Sequence, residues 1–421
     1  MIFLITFVFF FFDFMMTDWK RNSILFLGGQ ALSMFGSMLV QYAIFWHVTL
    51  STESGSMMTV YVIVGLLPTF FVSPFGGVWA DRYNRKKLIC LSDGGIATVT
   101  LLIAVAFFAG YRELWLIFLC AAMRAVGEGI QSPAVTSFIP QIVPEDKLTK
   151  VNGINTSIQS AIALLAPAVS GTLLTFISLE YLFFIDIITA LTGIGILLFL
   201  VKTPFADNHS DESRATGTNY FGDLRDGLKY IWREKWVFQI IILSTIMFAA
   251  MSPGAFLTPL QVIRNFGNEV WRLSAIEIAF SGGMLLGGLL MGFWGGFRNK
   301  MYSMAVASVV IGIGTVLLGV LTDFWLYLAA WTMVGLTVPL SNTPCTVILQ
   351  TKTDPDYMGR VFGVFGMTYS LTMPLAMLVF GPLADVIEID WMLIATGAVY
   401  VVLCVPYLTS RSLRKIGKEC K

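Results

Sequence analysis

The chain has 421 residues, of which 56% are hydrophobic and only 13% are charged. Soluble globular proteins carry about 25% charged residues, so this composition excludes an ordinary soluble protein and predicts a membrane protein. The formal net charge of +1 excludes the basic surface of a nucleic-acid-binding protein. Five scattered cysteines and two histidines exclude a disulfide framework and a histidine-rich metal site, so we expect no metal, no cofactor and no enzyme activity.

Residues 1–16, MIFLITFVFFFFDFMM, form an apolar N-terminal extension. The stretch is interrupted by Asp13 and is shorter than the roughly 20 apolar residues that a spanning helix needs. It also lacks the small-residue cleavage site of a signal peptide, and Met16 offers a second start. We predict an extension at the membrane interface or a dispensable upstream start. A thirteenth span is the alternative.

Twelve apolar stretches long enough to cross a bilayer follow the extension. They cover residues 23–50, 57–80, 88–109, 113–139, 151–178, 180–201, 236–263, 272–297, 301–321, 324–349, 359–386 and 391–409. The predicted fold is therefore an all-α polytopic membrane protein with two six-helix bundles. The predicted parts are an N-terminal half at 17–201, a central loop at 202–235, a C-terminal half at 236–410 and a basic tail at 411–421.

The basic residues predict the orientation of these spans. With the N-terminus in the cytoplasm, all but four of the 27 Lys and Arg residues fall in cytoplasmic segments. The four exceptions are Arg112, Arg124, Arg264 and Arg272. Because positive charge accumulates on the cytoplasmic side, we expect both termini to lie there.

The central loop contains apolar residues at roughly helical spacing, which suit an amphipathic helix on the membrane surface or a docking segment. They are Phe221, Leu224, Leu228, Ile231 and Trp232.

The two halves align with each other at a single offset. A shift of 211 residues places Gly77 on Gly288 and Pro133 on Pro344. Transporter folds commonly contain such repeats, so the alignment predicts a duplicated half.

A basic turn follows the second span, where residues 76–87 read GGVWADRYNRKK. With the six-plus-six arrangement and the long central loop, this turn resembles the G-x-x-x-D-R-x-G-R-K motif of the major facilitator superfamily. The stretches DRYNRKK, VPEDKLTKVNG, SGGMLLGGLLMGFWG and YMGRVFGVFGMTYSL resemble the macrolide-efflux group of bacterial drug exporters within it. The resemblance implies a bacterial inner-membrane protein working by alternating access, with protons as the energy source.

The same resemblance implies that the turn latches the two halves on the cytoplasmic side. The candidate latch residues are Gly77, Asp81, Arg82, Arg85 and Lys86. The pair Gly76–Gly77 is expected to let two helices approach closely. Asn84 replaces the motif's second glycine and is expected to tolerate its left-handed conformation. The alternative is a basic loop that only fixes membrane orientation.

Arg124 is a charge within the fourth predicted span, where an unpaired charge costs about 2.5–3.5 kcal/mol. Glu128 follows at i+4 on the same helical face, so the sequence predicts that the two residues pair and that Glu128 takes up the coupling proton. A static ion pair is the alternative.

Asp186 and Glu277, expected near the water-accessible outer ends of their spans, are further proton-coupling candidates. Asp93 is expected to pair with the cluster at 85–87.

Isolated amides and methionines are the candidate substrate-binding residues, because unbranched Met side chains adapt to large apolar ligands. They are Gln30, Gln41, Gln159, Met247, Met251, Met367 and Met373. No P-loop is present, so we expect energy to come from an ion gradient, from the substrate's own gradient or from a separate ATPase subunit. We predict a proton-coupled exporter of bulky, macrolide-like compounds. An exporter of a siderophore or other metabolite and a non-transporting docking protein are the alternatives.

Overall fold

The computed structural model describes residues 18–203, 229–354 and 357–419. Within those residues all regular structure is helical, and twelve helices are long and apolar enough to cross a membrane. The prediction of an all-α polytopic membrane protein is therefore confirmed. The extension at 1–16 and most of the central loop, including Phe221, Leu224 and Leu228, lie outside the described residues.

The helix bounds lie within a few residues of the predicted spans. The first six helices are α1 (Asp18–Thr52), α2 (Gly55–Arg82), α3 (Arg85–Phe108), α4 (Leu114–Ile142), α5 (Leu148–Phe176) and α6 (Leu179–Gly195), which continues as a π-helix, Ile196–Leu200. The next six are α7 (Lys235–Phe266), α8 (Val270–Trp294), α9 (Lys300–Leu318), α10 (Phe324–Lys352), α11 (Met358–Ala384) and α12 (Ile389–Thr409). The predicted tail contains a further helix, α13 (Arg411–Glu419).

Side-chain caps explain where several helices begin. Asn84 accepts a hydrogen bond from the backbone N–H of Lys87 at the start of α3, and Asp323 accepts from Trp325 and Leu326 at the start of α10. Such caps satisfy N–H groups that have no partner within the helix. Short polar turns can therefore end one apolar helix and begin the next.

The helices divide into two compact units. The first unit contains α1 up to Ile44, α2 from Ile63, and α3 to α6. The second contains Phe45–Val62 and α7 to α13. In the second unit α9 and α12 approach closely at two glycines, since a Cβ on Gly312 would lie 2.6 Å from the carbonyl oxygen of Gly397. Small residues of this kind let spanning helices pack backbone to backbone.

Residues 45–62 belong to the second unit because Asp385, which follows α11, holds the beginning of α2. The backbone N–H of Gly55 donates to Asp385 Oδ1 at 2.6 Å, and the N–H of Ser56 donates to Oδ2 at 3.0 Å. The Ser54 hydroxyl also donates to Oδ2, at 3.0 Å. Burial of the carboxyl opposes ionisation, but the hydrogen bonds from Ser56, Gly55 and Ser54 outweigh it and lower the pKa of Asp385.

We expect Asp385→Ala to lower the free energy of unfolding by about 1 kcal/mol at neutral pH, the usual cost of losing a helix cap. Because the folded-state pKa is depressed, this stabilisation is present above the ordinary Asp pKa of about 3.9 and is lost as pH falls through the folded value. Thermal unfolding of the purified protein at a series of pH values measures the difference. Glu388→Ala is the control, since Glu388 makes no side-chain cap bond; an equal loss in both variants would contradict the cap.

Candidate functional site

A buried ion pair joins α4 to α6 in the first unit. Arg124 Nη1 donates to Asp186 Oδ2 and contacts the Thr100 hydroxyl of α3. Thr100 Oγ1 also lies 3.2 Å from Asp186 Oδ2, and the Ser37 hydroxyl of α1 donates to Oδ1 at 3.0 Å. The Asp186 side chain is 0% exposed and that of Arg124 11%. Three helices, α1, α3 and α4, thus supply partners that satisfy a buried carboxylate on α6, as such a group requires.

This pair corrects two expectations from the sequence. The anion bonded to Arg124 is Asp186 on another helix, whereas the sequence predicted Glu128. Asp186 is fully buried and does not lie at a water-accessible end of its span. Glu128 is exposed and forms no hydrogen bond or salt bridge within the described part of the chain. It is nonetheless within electrostatic reach of Arg124. The carboxyls of Glu128 and Asp186 are therefore separate groups, and both act on the guanidinium of Arg124.

Asp93 on α3 forms a second polar contact between α3 and α4. Gln131 Nε2 of α4 donates to Asp93 Oδ1, and Gln30 of α1 also interacts with this carboxyl. The expected pairing with the basic cluster is wrong: Arg85 donates to the Ala80 carbonyl and Lys86 to carbonyls at the end of α6. Asp93 is 3% exposed, so it is a buried carboxyl without a salt-bridge partner among the described residues.

The two polar contacts are in register along the antiparallel pair α3–α4. Thr100 follows Asp93 by seven residues, and Arg124 precedes Gln131 by seven. With a rise of 1.5 Å per residue, the contacts lie roughly 10 Å apart along the helices. Glu128 falls between Arg124 and Gln131 on the same stripe of α4. The sequence analysis missed Ser37, Thr100 and Gln131, although polar residues seven apart on consecutive spans were a usable signal.

Glu277, the remaining proton-coupling candidate, is half-buried in α8 of the second unit. It forms no hydrogen bond or salt bridge with any residue that the structure describes. The structure therefore does not bring Glu277 into a polar network like that of the first unit.

The turn between α2 and α3 uses its residues differently from the sequence prediction. Asn84 has φ −62° and ψ 111°, so it caps α3 and does not adopt the left-handed conformation. Lys86 Nζ donates to the carbonyls of Leu198 and Val201 at 3.0 Å each. Free carbonyls at a helix end attract a cation in this way. Arg82 is exposed in the last turn of α2, and the side chain of Asp81 lies outside the described residues.

Of the glycine pair, only Gly76 provides the close approach. A Cβ on Gly76 would lie 2.5 Å from the carbonyl oxygen of Gly129 on α4, whereas a Cβ on Gly77 would meet nothing within 4 Å. Two adjacent helical residues point about 100° apart, so only one of them can face α4. This corrects the expectation that both glycines serve the contact.

We expect Gly76→Ala to lower the free energy of unfolding by about 1–3 kcal/mol, because a methyl group there overpacks the α2–α4 contact. Gly77→Ala is the matched control and should change it by less than about 0.5 kcal/mol. Thermal unfolding of both variants in the same detergent measures the difference. Equal melting temperatures would contradict the assigned contact.

The three candidate amides lie in the first unit. Gln30 lies beside Asp93, which assigns it to the buried polar network and not to an open surface. Gln41 on α1 and Gln159 on α5 are both exposed.

The candidate methionines lie along α7 and α11 of the second unit. Met247 is buried, and its Sδ and carbonyl accept hydrogen bonds from Tyr407 and Tyr400 of α12, so its role is packing. Met251, Met367 and Met373 are half-buried. A hydrogen bond also joins α7 to α11, in which the Ser252 hydroxyl donates to the Met373 carbonyl at 3.1 Å.

An aromatic group that the sequence analysis missed lies on the same two helices. The ring of Phe248 on α7 lies 5.0 Å from that of Tyr369 and 6.2 Å from that of Phe365, both on α11. Tyr369 is 54% exposed. Aromatic faces next to half-buried methionines form an apolar surface suited to large ligands of varied shape.

Comparisons with known proteins agree with this architecture. The family model for the Major Facilitator Superfamily matches residues 3–377. Macrolide efflux protein A of Streptococcus pyogenes is 27% identical over 401 residues, covering 95% of this chain and 98% of that protein. The protein of the same name from Enterococcus faecalis is 28% identical over 326 residues, covering 77% and 100%. A bacterial homolog of the human lysosomal transporter Spinster has the same fold, with 14% identity, a TM-score of 0.68 and coverage of 94% and 98%.

Proposed function

Because the chain belongs to the Major Facilitator Superfamily, we propose that it is a proton-coupled exporter of bulky hydrophobic compounds of the macrolide type. It is a multi-pass membrane transporter related to macrolide efflux proteins. The observation that carries the proposed coupling is the buried Arg124–Asp186 pair with the exposed Glu128 one helical turn away.

The coupling follows from the charges around Arg124. A buried ion pair is held by its own attraction and by hydrogen bonds that offset the cost of desolvation. When Glu128 is ionised, Arg124 interacts with the carboxylates of Glu128 and Asp186. When Glu128 carries a proton, Arg124 keeps its interaction with Asp186 and loses the negative charge of Glu128. Protonation therefore changes the forces that act between α4 and α6. A change of this kind is what a proton needs in order to bias one conformation over another.

The substrate class follows from the relatives and from the second unit. Both similar proteins are named for macrolide efflux, and Met251, Met367 and Tyr369 provide apolar and aromatic contact surface on α7 and α11. Gln41 and Gln159 of the first unit are exposed, and their role in substrate binding remains a prediction.

The remaining assignments extend the same proposal. The distribution of Lys and Arg supports a bacterial inner-membrane protein with both termini in the cytoplasm. The latch remains a prediction, since the Asp81 side chain lies outside the described residues. A coupling role for Glu277 also remains a prediction.

Expression of the chain in a drug-sensitive bacterium tests the function. We expect lower accumulation of a labelled macrolide than in cells with an empty vector, and a protonophore should abolish the difference. Unchanged macrolide accumulation, with lower accumulation of a labelled siderophore, would overturn the substrate class. Export that survives the protonophore but stops on ATP depletion would assign the energy to a separate ATPase.

A further inference from the structure

Asp93 has a buried carboxylate oxygen, Oδ2, with no direct hydrogen-bond partner among the described residues, although the Gln30 side chain interacts with the same carboxyl. Gln131 donates to Oδ1, but Oδ2 is buried and lacks a hydrogen-bond partner. Buried polar atoms in folded proteins nearly always have one. The position is neither an exposed loop nor a helix end: Asp93 lies two turns inside α3.

No cation forms a salt bridge with this carboxyl in the part of the chain that the structure describes. Among the described residues, the titratable groups nearest to it are Cys90 and Lys86 on α3, Arg124 and Glu128 on α4, and Asp186 on α6. The group that α1 contributes is the neutral amide of Gln30. Arg124 is bonded to Asp186, and the Lys86 ammonium is bonded to two carbonyls. Asp186 adds negative charge in the same bundle. The surroundings of Asp93 therefore disfavour a second carboxylate.

We propose that Asp93 is a proton-binding site, in which Gln131 fixes the carboxyl through Oδ1 and the proton resides on Oδ2. An unpaired ion in the protein interior costs several kcal/mol, whereas a neutral carboxyl needs no counter-ion. The role of this proton in transport rests on the proposed function, but its presence does not.

Glu128 on α4 is the carboxyl with which Asp93 exchanges its proton in this proposal. It is exposed and precedes Gln131 by three residues on α4, a rise of about 4.5 Å. A proton moving between the two sites converts a Glu128 carboxyl and an Asp93 carboxylate into a Glu128 carboxylate and an Asp93 carboxyl. Charge and protons balance without a co-reactant.

Infrared spectroscopy of the purified protein in lipid tests the site directly. At neutral pH, the wild-type minus Asp93→Asn difference spectrum should show the carbonyl stretch of a protonated carboxyl, and this band should shift in D₂O. Asp146→Asn is the matched control, because Asp146 is exposed and paired with Lys147; its difference spectrum should show only carboxylate bands. Carboxylate bands alone in the Asp93→Asn spectrum would overturn the proposal.

Gln131→Leu provides a second test that retains Asp93. Without the amide donor, the carbonyl band assigned to Asp93 should move to higher frequency, while a band that does not move would overturn the role of Gln131. Neither measurement involves export. A protonated Asp93 in a protein whose export ignores a protonophore would reject the proposed function alone, and coupled export without the band would reject this site alone.

Discussion

Arg124→Gln should lower the free energy of unfolding by about 3–5 kcal/mol, because it leaves the carboxylate of Asp186 buried without its cation. Asp186 is 0% exposed, and the Ser37 and Thr100 hydroxyls alone would remain to satisfy it. Thermal unfolding of the purified variant, together with its yield in the membrane, measures the effect.

A double-mutant cycle separates the ion pair from general damage to the core. Arg124→Gln combined with Asp186→Asn removes both charges, so the double variant should be more stable than the sum of the two single losses predicts. Strict additivity would contradict a direct interaction. Lys147→Gln is the control for loss of a cation, because both partners of its salt bridge to Asp146 are exposed and the pair should contribute less than about 1 kcal/mol.

Glu128→Gln should abolish proton-driven export while leaving the protein folded in the membrane. Glu128 is exposed and forms no hydrogen bond or salt bridge among the described residues, so glutamine fits the site but cannot release a proton. Macrolide accumulation in cells expressing the variant should equal that of protonophore-treated wild-type cells. The matched control is Glu113→Gln at the start of α4, where the side chain makes no cap bond. Undiminished uphill export by Glu128→Gln would remove Glu128 from the mechanism.

The twelve spans were predictable because apolar length and charge are local properties of the sequence. The predicted span 57–80 became α2, Gly55–Arg82, which extends two residues further at each end. Apolar length locates a spanning helix but does not locate its polar ends, which depend on caps such as Asn84 and Asp385.

For the site, the sequence predicted that a buried charge needs a partner but did not identify the partner. The sequence showed that Arg124 requires an anion, and the nearest acid at helical spacing was Glu128. The anion in the structure, Asp186, lies 62 residues along the chain, and the packing of α3 against both α4 and α6 brings it within reach. The choice between Gly76 and Gly77 failed for the same reason, because the face that α2 turns toward α4 is a tertiary property.

Asp93 illustrates the limit most clearly. Its position near the basic turn favoured a pairing with the cluster at 85–87, but α3 turns Asp93 toward Gln131 and the interior. Lys86 instead reaches the carbonyl end of α6. Proximity in sequence suggested that a cation of the cluster at 85–87 pairs with Asp93. The orientation of α3 places Gln131 beside Asp93 instead.

Proton movement by the purified protein in proteoliposomes tests the proposed coupling most directly. With a macrolide loaded inside, a pH-sensitive dye in the lumen and an acidic exterior, the wild-type protein should admit protons faster than it does without the drug. Glu128→Gln should show no such acceleration. Macrolide efflux from wild-type vesicles at an unchanged rate of proton entry would contradict the account.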